Sequence, residues 1–112
     1  MTSKLIWFEE KKESFFQADP DEILFVKSAD HYVKALIRSN QMNKWMTRHC
    51  TLKEMHGMLP KDQFIRMNRF YIVNRKHFSH INEDEKKLYL IDGVFISIPH
   101  RISPFIIDAL KL

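Results

Sequence analysis

The stretch ILFVKSADHYVKALIRSNQMNKWMTR, Ile23 to Arg48, decides the fold. Ile23 to Lys27 is a short, mainly apolar run. His31 to Arg38 then alternates, with Val33, Ala35 and Ile37 on one face and Lys34 and Arg38 on the other, the period-two pattern of a strand. Leu36 breaks that alternation. Ser39, Asn40 and Gln41 read as a turn. Met42 to Arg48 is therefore expected to return as the second arm of an antiparallel hairpin.

The same pattern recurs outward from this stretch. Lys86 to Ile91 and Val94 to Ile98 flank Asp92 and Gly93, a dipeptide that tolerates the positive φ angles of a type I′ turn, which predicts a second hairpin. Leu5 to Phe8 and Ser14 to Phe16 predict one or two edge strands. Thr51 with Glu54 forms a capping box before Leu52, Met55 and Leu59 at helical spacing, and Pro60 closes that short helix. Ser103 can cap a second helix, with Pro104 at its first position and Ile106, Ile107 and Leu110 as an apolar stripe. Fourteen aromatics and nineteen Val, Ile and Thr residues favour strands throughout. The expected class is mainly β, antiparallel, with one or two short helices.

A chain of 112 residues supplies one modest core, so residues 1–112 are read as one domain. The single Cys50 has no intramolecular partner, and no signal-peptide pattern opens the chain, which points to a reducing cytoplasm. The longest apolar runs fall far short of the ~20 residues of a membrane helix. Chemistry is equally sparse. With only Gly57 and Gly93 the chain lacks a phosphate-cradling loop, and it has no nucleophile elbow or paired-cysteine zinc framework. His49 and Cys50 are adjacent, so on a strand they point to opposite faces and do not form a nucleophile–base pair. His77 and His80 lack the helix that would align them and the partners that would complete a metal site. No enzyme activity, cofactor, metal or small-molecule substrate is implied.

Charge is more informative. The first thirty residues carry seven acids against four lysines, a net of −3, whereas His31 to Leu112 carry fourteen Lys or Arg against seven acids, a net of +7. Three stretches contain no acid: His31 to Lys53, Gln63 to Asn82, and Gly93 to Ile107. Such segregation suits a polyanion, since lysine and arginine neutralise phosphates and acids within the footprint would repel them. The middle stretch, QFIRMNRFYIVNRKHFSHIN, interleaves Phe64, Ile65, Phe70, Ile72 and Val73 with Arg66, Asn68, Arg69, Asn74, Arg75 and Lys76. Its apolar residues can anchor the segment while arginine forks and asparagine amides reach bases or phosphates. An ordinary strand–loop–strand unit with solvated arginines fits the same spacing.

FIRMNRFYIVN resembles the signature of the LytTR-type DNA-binding domain, F-x-R-x-H-R-S-Y-x-V-N, preceded by a short helix like Thr51 to Met55 and by Leu59–Pro60. ILFVKSADHYVKALI and GVFISIPHR are similar to that family's first and last blocks, so the resemblance spans residues 19–109, with residues 1–18 an N-terminal extension or edge strands. It implies an elongated arrangement of small antiparallel sheets, the output module of bacterial response regulators, with loops rather than a helix entering successive major grooves of double-stranded DNA.

Carried over, base contacts fall on His31 or Tyr32, on Arg69, and on His100 or Arg101, one loop in each acid-free stretch. Lys34, Asn68, Arg75 and Lys76 become the phosphate-positioning set. Asn68 stands where the family usually has histidine, Phe70 where it has a small hydroxyl residue, and Pro99 where serine is common, which bears on the target sequence. The implied protein is a sequence-specific transcriptional regulator, binding paired half-sites as a dimer. A phosphorylated receiver domain needs on the order of 100 further residues, so the chain is read as a stand-alone regulator or a fragment of a longer one.

Two other readings are kept. One is a protein-interaction module on the same scaffold that has lost specific DNA binding, using Trp7, Phe8, Phe15 and Phe16. The other is a single-stranded nucleic-acid binder stacking bases on Tyr32, Phe70 and Tyr71.

Overall fold

Ile23, Leu24, Phe25 and Val26 are all buried, and they lie on the strand around which the chain is organised. The computed structural model describes residues 4–11 and 13–111. In chain order the strands are β1 (Ile6–Lys11), β2 (Ser14–Ala18), β3 (Ile23–Ala29), β4 (Tyr32–Ser39) and β5 (Met42–Arg48). After helix α1 (Leu52–Met58) come β6 (Phe64–Arg66), β7 (Tyr71–Asn74), β8 (Phe78–Asn82), β9 (Lys87–Leu90) and β10 (Phe95–Ser97), and helix α2 (Pro104–Lys111) ends the chain. Every pairing is antiparallel. Seven strands form one sheet in the order β2-β1-β5-β4-β3-β7-β6, and β10-β9-β8 form a second of three. The mainly β class with two short helices agrees with the sequence reading, although one sheet is larger than the small sheets expected. The principal extents are 42 × 33 × 25 Å.

The hairpin turns follow their local chemistry. Ser39 pairs with Met42, and Asn40 and Gln41 between them both have positive φ, as a type I′ turn requires. Asp92 (φ 57°, ψ 32°) and Gly93 (φ 74°) do the same, with the Val94 N–H donating to the Ile91 carbonyl at 3.2 Å. Both helices start where their caps predict. The Thr51 hydroxyl accepts from the Glu54 N–H at 3.0 Å and the Glu54 carboxylate accepts from the Thr51 N–H at 2.9 Å. Ser103 Oγ accepts from the Phe105 N–H at 3.2 Å. A further capping box, Asp19 with Glu22 around the short turn Pro20–Glu22, leads into β3. The sequence D-P-D-E carries its signal.

The large sheet is covered on both faces. On one side Ile23, Val26, Val33, Ala35 and Ile37 pack with Leu52 and Met55 of α1, with Leu59 just after it, and with Ile6, Phe8 and Ala18 of the N-terminal hairpin. On the other, Leu24, Phe25, Leu36 and Val73 pack with Leu88, Leu90 and Ile96 of the small sheet, with Ile98 just after it, and with Leu110 of α2. Leu36 therefore breaks alternation because its face also meets a core. The pairing of β3 with β4 shifts register between Ile23 and Phe25, so that Leu24 and Phe25 both serve the second core. The Arg38–Asp92 ion pair joins β4 to the small sheet's turn.

The two N-terminal strands pair as a hairpin at the edge of the large sheet, where edge strands were expected. Its β1 pairs with β5 at one position, Glu9 with Thr47, and its inner face folds back onto the first core. The four aromatics divide accordingly: Phe8 is fully buried and Phe16 half-buried, while Trp7 and Phe15 are exposed. At the end of β3 near Ile23, Asn74 is buried and donates to the Ile23 carbonyl at 2.9 Å. Beside it the Asp21 carboxylate accepts from Lys76 Nζ at 2.9 Å and from Gln63 Nε2 at 2.7 Å. These two hydrogen bonds, that from Lys76 foremost, hold the Asp21 carboxyl below its ordinary range.

Two outcomes follow. Phe8→Ala is expected to lower stability by about 3–5 kcal/mol in urea unfolding, because it empties a fully buried site; a loss under about 1 kcal/mol would show the hairpin to be dispensable to the core. A carboxyl depressed in the folded state contributes stability above its unfolded pKa of about 4 and loses it as pH falls through the folded value. Asp21→Asn is accordingly expected to cost about 1 kcal/mol or less at pH 7, with the gap to wild type closing below about pH 4 in thermal unfolding. A gap independent of pH would rule out the carboxylate as its source.

Candidate nucleic-acid interface

Three loops emerge beside one another where β3, β6 and β10 end. In the first, Ala29 pairs with Tyr32, so Asp30 and His31 form a two-residue apex. His31 is exposed, and Tyr32 is half-buried with its ring 6.0 Å from that of His49. An apex of two residues leaves the backbone little freedom, so the imidazole is presented from a fixed base.

The second loop joins β6 to β7 and is ordered from within. The Asn68 side-chain oxygen accepts from the Phe70 N–H at 2.8 Å and the Tyr71 N–H at 3.0 Å, while Arg66 Nε donates to the Asn68 carbonyl at 3.1 Å. Met67 anchors the loop in the second core, and the Ser28 N–H clips it to β3 by donating to the Phe70 carbonyl at 2.9 Å. Arg69 stands exposed at the tip with its guanidinium 4.9 Å from the centre of the exposed Phe70 ring. That contact restrains the long side chain without hiding its donors. In the third loop Ile98 is buried and the next three residues, Pro99, His100 and Arg101, are exposed.

Shallow hollows connect these loops. His31, Tyr32, Arg66 and Arg69 line one of about 490 Å³, together with His49 and Lys53. Tyr32 also lines a second, of about 460 Å³, with Lys27, Lys34, Phe70 and Pro99. Pro99 in turn lines a third, of about 350 Å³, with His100, Arg101, Lys86 and Lys87. All five base-contact candidates and Lys34 thus share one continuous band. Asn68 is adjacent, and its side-chain oxygen is committed to ordering its own loop.

Arg75 and Lys76 are not brought to this band. Tyr71 pairs with Lys27 and Val73 with Phe25, so the chain beyond Asn74 lies at the opposite end of β3, roughly 20 Å away at the rise of an extended strand. Arg75 Nε donates to the Asp62 carbonyl and its Nη1 is buried, while Lys76 is paired with Asp21. Sequence reasoning also passed over residues that the fold adds. His49 and Lys53 lay within an acid-free stretch and were open to detection there, and Arg66, already named among the outward-reaching residues of the middle stretch, joins them. Lys27 lies outside all three, and only the pairing of β3 with β4 reveals it.

Catalytic features do not gather here. Cys50 is half-buried, and that burial pushes its thiol up, away from the thiolate form. Among the described residues no group of three or more His, Cys, Asp or Glu converges on a metal position, and no helix is long and apolar enough to cross a membrane. Tyr71, offered as a stacking platform, is half-buried against Phe25.

The family profile described as the LytTr DNA-binding domain matches residues 3–105. Among solved structures, a Bacillus cereus chain described as the LytTr DNA-binding domain of a response regulator aligns with a TM-score of 0.66 at 21% identity. The alignment covers 82% of this chain and 83% of that one. No curated protein sequence matches. With the family profile spanning both sheets and all three loops, the chain belongs to the LytTR family of DNA-binding domains.

Proposed function

We propose that this chain is a sequence-specific transcriptional regulator that reads double-stranded DNA through its three loops, placed in successive major grooves. His31, Tyr32, Arg69, His100 and Arg101 contact base edges, and Lys34 with the Asn68 amide positions the backbone. Arg75 and Lys76 instead fasten the far end of the fold. The observation that carries this reading is the convergence of the acid-free stretches: residues separated by up to seventy positions meet on one mainly basic band, where lysine and arginine outnumber Asp30, Glu54 and Glu83. Arginine at two of the tips suits guanine, whose O6 and N7 accept a bidentate fork. Lys34 supplies charge without sequence information.

The assembly on DNA is a pair of half-sites bound by two copies, acting in the cytoplasm as a stand-alone regulator or as the output module of a longer response regulator. A second reading has one specific observation in its favour. Trp7 and Phe15 are 41% and 68% exposed and meet edge to face at 5.6 Å on the outer side of the N-terminal hairpin, a surface suited to a protein partner.

Arg69→Ala is expected to remove about 1–3 kcal/mol of discrimination between a preferred duplex and its single-base variants, while leaving affinity for scrambled duplex nearly unchanged. Competition titrations at one salt concentration measure both quantities. Equal weakening on every duplex would assign Arg69 to the backbone.

A further inference from the structure

Lys27 and Lys34 stand directly opposite each other on β3 and β4. Their side chains share the face that carries Trp45, and the two ammonium groups lie 5.2 and 5.7 Å from the centre of that one indole ring. Trp45 is fixed in turn by an edge-on contact with Phe25 at 5.6 Å. Like charges directly opposite on paired strands destabilise a sheet. No acid among the described residues pairs with either lysine: the ion pairs found among those residues use Arg38, Lys44, His49 and Lys76. Cation–π contact offsets part of the repulsion and holds the two ammoniums together at the rim of the hollow that Ser28, Phe70 and Pro99 also line. Two restrained cations without a counter-charge, beside an open hollow, are complementary to an oxyanion.

We infer that Lys27 and Lys34, propped on Trp45, form a clamp for one phosphate group, a step that rests on the DNA-binding reading in taking the ligand to be a backbone phosphate of duplex DNA. The hollow shares Tyr32 with the first reading loop and Pro99 with the third. A phosphate seated there fixes the duplex between the two loops. Lys34 then acts as one half of a pair, and Lys27 is the half that charge patterning along the chain does not reveal. The same chemistry would accept a free phosphate, and the two sources are separable.

The test uses the Trp7→Phe chain, in which Trp45 is the one remaining tryptophan of two, with Lys27→Ala and Lys27→Gln as alternative disruptions, each checked by thermal unfolding. Duplex addition is expected to change Trp45 emission, and either substitution is expected to abolish that change. Each is also expected to reduce the slope of log affinity against log salt by about 0.9, the contribution of one phosphate contact. Lys27→Arg is expected to restore the slope.

If the parent chain binds duplex and the lysine variants keep its slope and its emission change, the clamp is overturned and the DNA reading stands. If no duplex is bound yet inorganic phosphate changes Trp45 emission only while Lys27 is present, the clamp stands with free phosphate as its ligand and the DNA reading falls. No response to either probe overturns both.

Discussion

Strand β3 runs Ile23, Leu24, Phe25, Val26 with no polar residue between, and each side chain is removed from water. A strand apolar on both sides requires two covers, and the rest of the chain supplies them. Helix α1 and the N-terminal hairpin close one face, and the three-stranded sheet with α2 closes the other. The register shift beside Leu24 divides the four side chains evenly between the two cores. Because β4 and β7 are the neighbours of β3, the loops that follow β3 and precede β7 are set side by side at one end. The buried strand thereby determines where the loops of the proposed interface stand.

A helix has little part in recognition of the proposed kind. Helix α1 is seven residues long and commits Leu52 and Met55 to the first core, while α2 commits Leu110 to the second. Presentation falls to short loops, and short loops are precise only when rigid. The His31 apex is confined by a two-residue turn, the Arg69 tip by the carboxamide of Asn68 and the buried Met67, and the third loop by the buried Ile98 before it. Asn68 and Phe70, where the family usually has histidine and a small hydroxyl residue, have local work here: one orders the loop and the other props the arginine.

Much of the fold was legible because local chemistry and packing agree. Asn40–Gln41 and Asp92–Gly93 adopt the positive φ their turns need, and Thr51 and Ser103 cap the helices they precede. What escaped was non-local. Leu36 looked like a flaw in an alternating strand until the opposite face proved to be covered. The N-terminal hairpin was legible as strands, and its return onto the first core depends on the pairing of Glu9 with Thr47. Within the site, the acid-free stretches located the three loops, although the fold also brings Asp30, Glu54 and Glu83 to the same hollows. Arg75 and Lys76 shared the same stretch as Arg69, yet β7 carries the chain to the far end of β3, where Asp62 and Asp21 occupy them. Lys27 sits among apolar and acidic neighbours in sequence, and its partner Lys34 is found only across the sheet.

The central claim is that this band recognises a particular duplex sequence. Selection from a randomised duplex library, followed by titration of the enriched sequence and a scrambled control at two salt concentrations, tests it most directly. The account predicts an enriched motif bound at least ~10³-fold more tightly than the control, with affinity falling steeply as salt rises. No enrichment, with binding that is weak or insensitive to salt, would contradict it and direct attention to the exposed Trp7 and Phe15 as a protein-binding surface.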